Sequence, residues 1–107
     1  MDIYKMMERG TPNGFNPIFS GKDIIIGVSR VVSRWPFPEF SNHPKDELLI
    51  VLRGQVEVEY EDKKTVIIDA GGTELMPKGR GHKVHNVARQ PSDVMLIFCE
   101  QKVSSAM

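Results

Sequence analysis

Glycine and proline interrupt this chain so often that little room is left for helix. Breaks recur at Gly10, Pro12, Gly14, Pro17, Gly21, Pro36, Pro38, Pro44, Gly54, Gly71, Gly72, Pro77, Gly79, Gly81 and Pro91. Inside a helix, glycine costs about 1 kcal/mol and proline about 3. Short segments between such breaks suit strands and tight turns. The punctuation therefore predicts an all-β protein.

The segments carry the matching pattern. In QVEVEYE, residues 55 to 61, Val56, Val58 and Tyr60 alternate with Gln55, Glu57, Glu59 and Glu61. That period of two buries one face and wets the other. The polar EDKK beyond it predicts a hairpin turn into TVIID, and Arg53-Gly54 before it a turn back from ELLIVL. A three-stranded meander from Glu47 to Asp69 is expected. DIIIGVSRVV and DVMLIFCE are apolar or β-branched runs that predict strands covered on both faces, with Cys99 as a buried small hydrophobe.

ELLIVL poses a packing problem, because both of its parities are apolar. Leu49 and Val51 point one way, and Leu48, Ile50 and Leu52 the other. A small barrel fills its inside with one set, so the other needs a cover. A second copy of the chain in a homodimer is the preferred cover. The alternative is N-terminal strands at PIFSG and MDIYKM.

Composition narrows the function classes. At 107 residues, one domain spanning 1–107 is expected. The single cysteine excludes an intrachain disulfide and fits a reducing compartment. Lysine plus arginine equals aspartate plus glutamate at 14 each, which leaves no net field for nucleic acid. The start lacks the basic and apolar regions of a signal peptide, and no apolar run is long enough to span a membrane. A soluble, cytoplasmic protein that binds a small molecule, without nucleic-acid or membrane partners, is expected.

Two stretches concentrate the unusual residues. One runs Gly71, five residues, Pro77-x-Gly79-x-x-His82, three residues, Asn86; the other has His43, three residues, Glu47, six residues, Gly54. The first satisfies every fixed position of the second cupin motif. The other resembles the first cupin motif, with Ser41 standing where a histidine belongs and Trp35 where a glycine does. The chain thus resembles a small single-domain cupin with its motif core at about 41–98. The resemblance implies an antiparallel jelly-roll barrel, with the N-terminal strands added to it.

The resemblance also implies a site. His43, Glu47 and His82 would converge inside the barrel, and strand parity allows it. Ser41 and His43 share a face, Glu47 joins them if no bulge intervenes, and His82 opens a later strand. Two imidazoles and a carboxylate would hold a divalent transition ion such as iron, zinc, manganese or nickel, with iron favoured when positions stay open. Ser41 is a poor fourth ligand, and Glu39, of the same parity, is another candidate. His85 has the opposite parity to His82 and is expected outside the ligand set.

Further candidates surround that site. Trp35, Phe37 and Phe40 on a proline-stiffened approach can wall a substrate pocket, with Asn86 on the face of His82. Lys78, Arg80 and Lys83 can form a rim that draws in an anion. Two functions stay open. One is a metal-dependent enzyme of oxygenase or isomerase type. The other is a non-catalytic, metal-poor module that binds a sugar or carboxylate. No nucleophile with a paired base, phosphate loop or dinucleotide fingerprint is present.

Overall fold

A computed structural model describes residues 1–32 and 44–100. Eight strands and one short helix are found among these residues. They are α1 (Ile3–Arg9), β1 (Asn16–Ser20), β2 (Ile24–Val31), β3 (Asp46–Arg53), β4 (Gln55–Tyr60), β5 (Thr65–Asp69), β6 (Thr73–Met76), β7 (His82–Asn86) and β8 (Ser92–Cys99). They form a five-stranded sheet in the order β1-β2-β8-β3-β6 and a three-stranded sheet in the order β5-β4-β7. All pairings are antiparallel.

The core lies between the sheets. Leu49 and Val51 of β3, Val94 of β8, Val31 of β2 and Met76 of β6 meet Val56, Val58 and Tyr60 of β4 and Ile68 of β5, all at or below 5 % exposure. The alternation in QVEVEY thus acts as expected, and β4 pairs with β5 through the predicted hairpin. Lys63 takes a positive φ of 71° there, and Asp62 Oδ1 accepts the Lys64 amide at 3.2 Å.

Three expectations are corrected. MDIYKM is helical rather than extended, because Asp2 Oδ1 accepts the amides of Tyr4 at 3.0 Å and Lys5 at 3.3 Å and so caps α1. The meander from Glu47 to Asp69 does not form. β3 pairs with β8 and β6 in one sheet, while β4 pairs with β5 and β7 in the other. Gly54 makes this corner with a φ of +90°, and a Cβ there would run into Ser92. Cys99 is only half-buried, near the end of β8.

One carboxylate ties the helix end of the five-stranded sheet together. Asp93 is fully buried on the outward face of β8, opposite Arg30 of β2 and Arg53 of β3. Arg30 donates to it through Nε at 2.8 Å and Nη2 at 3.3 Å, and Arg53 Nη2 pairs with Oδ2. The Arg53 guanidinium also lies 5.6 Å from the Tyr4 ring of α1. The Asp93 hydrogen bond holds the Arg30 pKa above its usual value. Arg53 is 59 % exposed, so its share of the attraction is screened by solvent.

Candidate functional site

Glu47 and His82 come together from opposite sheets. Glu47 follows the first residue of β3 with the parity of Leu49 and Val51, so it faces inward at the barrel mouth. His82 begins β7 opposite Tyr60, with the parity of Val84. The turn before it is closed by the Arg80 amide donating to the Pro77 carbonyl at 3.3 Å, with Gly79 at a φ of +80°. Glu47 is 4 % and His82 6 % exposed, and Oε1 of one lies 3.1 Å from Nε2 of the other.

The second ring nitrogen decides what this approach means. His82 Nδ1 faces the Arg80 carbonyl at 3.4 Å, a long contact with a group that only accepts. A neutral ring that donates Nε2–H bonds the Glu47 carboxylate directly, whereas one that donates Nδ1–H to the Arg80 carbonyl turns a lone pair on Nε2 toward it. In the second form a proton or a metal ion would lie between the two atoms. Ligands at right angles on one ion, each about 2.1 Å from it, stand about 3.0 Å apart, which the observed separation fits. A ligating histidine also characteristically donates its other N–H to a carbonyl. The residues present therefore fit a divalent ion.

Among the described residues, no group of three histidine, cysteine, aspartate or glutamate side chains is gathered for a metal. His43, Ser41, Glu39, Trp35, Phe37 and Phe40 lie outside the described residues. His85 takes the outward face of β7, where Nε2 lies 3.0 Å from Glu57 Oε1.

The structure places Asn86 away from Glu47 and His82. Asn86 is 2 % exposed at the far end of β7, about 13 Å along the strand from His82. Its amide donates to the carbonyls of Ala88 at 3.3 Å and Gln90 at 3.0 Å. Its Oδ1 accepts from the Ala88 amide at 3.1 Å and the Ser92 hydroxyl at 2.6 Å. Asn86 closes the 86–92 loop and has no group left for a ligand. A cleft of about 470 Å³ at this end is bounded by Arg30, Arg53, Gly54, Ala88, Gln90 and Pro91, remote from Glu47 and His82.

The three cations do not form one rim. Arg80 stacks over the Tyr60 ring at 3.6 Å and forks onto Asp62 at 2.9 and 3.3 Å. Lys83 lies on the outward face of β7 opposite Glu59, because its parity is that of His85. Lys78 is exposed, with its backbone amide held by Asp46 Oδ1 at 2.9 Å.

One feature near the mouth has no counterpart in the motif reading. The Tyr60 hydroxyl donates to Glu74 Oε2 at 2.6 Å, which ties β4 to β6 across the gap between sheets. Burial, and after it the Glu74 hydrogen bond, push the Tyr60 pKa well above its usual value. Tyr60 reads in sequence as one more apolar residue of a strand. The available signal was Glu74, a charge at the core parity of β6 that needs a buried partner. Asp62 at the adjoining turn is held below the usual carboxylate range by the Lys64 amide and, after it, by Arg80.

Known proteins agree with this architecture. A curated relative, the uncharacterized protein YdbB of Bacillus subtilis (strain 168), is 36 % identical over 52 residues, or 48 % of this chain. The match spans 46 % of that relative, about half its length. The crystal structure of a cupin-2 domain containing protein from Shewanella frigidimarina superimposes with a TM-score of 0.71 at 22 % identity, over 88 % of this chain and 87 % of that one. The crystal structure of FeII HppE gives a TM-score of 0.70 at 16 % identity, over 78 % of this chain and 48 % of that one. At these identities the structures share the fold alone. The model of the Cupin domain matches residues 31–98, and on that match, with two antiparallel sheets enclosing the Glu47 and His82 pair, the chain belongs to the cupin family.

Proposed function

We propose that the barrel binds a divalent transition ion through Glu47 and His82, with His43 as third ligand, and uses it to act on a small metabolite. The observation that carries this reading is the buried approach of two ligand-type side chains, Glu47 Oε1 and His82 Nε2, at 3.1 Å. The FeII form of HppE shares this fold, which makes iron the first ion to test, ahead of zinc, manganese and nickel. Bound there, the ion would supply Lewis acidity toward a substrate oxygen. Glu47 would balance its charge, and the Arg80 carbonyl would orient the His82 ring.

A second reading rests on Ser41, which stands where the resemblance calls for a histidine. It makes the protein a binding module for a sugar or carboxylate, with no metal chemistry. Elemental analysis separates the two. Protein purified without chelator is expected to carry about one transition ion per chain, lost in His43→Ala and His82→Ala and kept in His85→Ala. Absence of any bound ion after loading with iron, zinc, manganese and nickel overturns the metal reading and favours the module.

A further inference from the structure

The barrel end away from Glu47 and His82 carries a cleft that the metal reading does not use. It holds about 470 Å³, with Arg30 of β2 and Arg53 of β3 on one side and Ala88, Gln90 and Pro91 of the 86–92 loop on the other. That volume lies in the range of small-molecule sites. The loop wall is fixed from inside, because the Asn86 amide holds the carbonyls of Ala88 and Gln90.

Two guanidiniums meet at this cleft, and one carboxylate sets both. Asp93, 0 % exposed, accepts from Arg30 Nε and Nη2 and pairs with Arg53 Nη2. The Tyr4 ring lies 5.6 Å from the Arg53 guanidinium. Arg53 is thus held on two sides although 59 % of its side chain is exposed. A ligand that meets side chains already ordered is spared the entropy of fixing them. Two guanidiniums carry about ten N–H donors and a carboxylate about four acceptor sites, so donors remain for a further anion.

Charge points the same way. Two cations on one anion leave a positive excess at the cleft, and Arg89 adds an exposed cation in the same loop. Glu8 of α1 also acts on Arg30, but more weakly than Asp93, and water screens it.

We infer that this cleft is a second ligand site, which takes a small organic carboxylate. The carboxylate forks onto the guanidiniums, the arrangement in which arginine binds planar anions best. Ala88 and Pro91 offer apolar contact to the organic part, and Gln90 offers an amide. A bare inorganic ion would leave most of the volume to water. A small positive excess matches a monoanion, not a phosphate dianion. The site is remote from the barrel mouth, so it stands or falls independently of the metal reading.

The test is an NMR titration of the full-length chain with sodium benzoate at constant ionic strength, with sodium chloride and inorganic phosphate in parallel. Saturable shifts are expected at the Nε–H groups of Arg30 and Arg53 and at the amides of Ala88 and Gln90. Half-saturation is expected at about 1–10 mM benzoate, the affinity of a ligand of this size. Arg53→Gln should weaken binding about tenfold, and its exposure keeps the fold safe. Ala88→Leu fills the cleft without altering charge and should weaken binding about as much, with circular dichroism checking the fold. Arg80→Gln, near the mouth, should leave binding unchanged. Shifts that stay linear to about 50 mM, or that chloride reproduces, overturn the inference. Binding unaltered in both Arg53→Gln and Ala88→Leu also overturns it, and phosphate binding more tightly than benzoate overturns the carboxylate assignment. Bound metal plays no part in this readout, so its failure is distinct from failure of the metal reading.

Discussion

The two ends of this barrel are built from similar polar side chains and use them in opposite ways. At the Gly54 end, donors meet acceptors. Ser92 Oγ accepts the Gln55 amide at 2.9 Å and donates to Asn86 Oδ1, and Asn86 engages three further backbone groups. At the mouth, Glu47 and His82 meet as a buried pair of ligand-type side chains, with Oε1 of one 3.1 Å from Nε2 of the other. A closed network stabilises the fold because each buried group is matched. A buried carboxylate and imidazole at an open mouth are the kind of pair that an added cation can strengthen. The contrast separates an end whose polar groups are closed among themselves from one that the proposed function needs open.

The largest expected effect tests the structural end. Asn86→Ala removes four hydrogen bonds from a buried loop and should cost about 3 kcal/mol or more in urea unfolding, with metal content per folded chain unchanged. Equal losses of metal and stability would mean that the two ends are one unit. The mouth should behave in the reverse way. Glu47→Gln should weaken metal binding about 100-fold, read by titration with a chromogenic chelator competitor. In metal-free protein the same change should alter stability by less than about 1 kcal/mol, because the amide oxygen can keep a hydrogen bond to the ring. A large loss of stability in that metal-free variant would show that Glu47 is structural.

Two smaller effects sharpen the comparison. Gly54→Ala forces a residue with a Cβ into a φ of +90° against Ser92, and should cost about 2 kcal/mol by thermal unfolding. The Tyr60–Glu74 bond adds a pH signature to the mouth. The folded-state pKa of Tyr60 is raised above its unfolded value near 10, so its contribution is fully present below about pH 10. It is lost as pH rises from there toward the folded-state value. Thermal scans from pH 8 to pH 11 should show the wild type losing stability above about pH 10 more steeply than Tyr60→Phe. The difference between the two slopes should correspond to about 1 kcal/mol. Parallel curves would mean that the phenol is not held by Glu74 in solution.

Parts of this fold were legible because they depend on neighbours in sequence. The QVEVEY alternation, the EDKK hairpin and the Pro77 to Gly81 turn are each settled within a few residues. So is the assignment of His82 and His85 to opposite faces of β7. Other features were hidden because they depend on where strands go. Nothing in ELLIVLRGQVEVEY says that the chain changes sheets at Gly54 rather than folding back as a hairpin; the choice is made by Val94 and Leu96 of β8 pairing against β3. Asn86 fits a motif whose spacing places it on the face of His82, yet only the 86–92 loop shows that its polar atoms are all engaged. Arg80 counted as rim charge in sequence because Asp62 and Tyr60, its partners, lie across a hairpin.

Local pattern was enough to make this chain a β protein, to supply both cupin motif regions, and to put Glu47 and His82 at motif positions. Those outcomes follow from local sterics of glycine and proline, from a two-residue period, and from fixed spacings. The tertiary structure alone decided the N-terminal helix seated over one end of a sheet and the separation of the cations. It also decided the approach of Glu47 to His82 to 3.1 Å. Each of these joins residues from different strands or sheets, and such contacts form only when burial of the shared core brings distant segments into register.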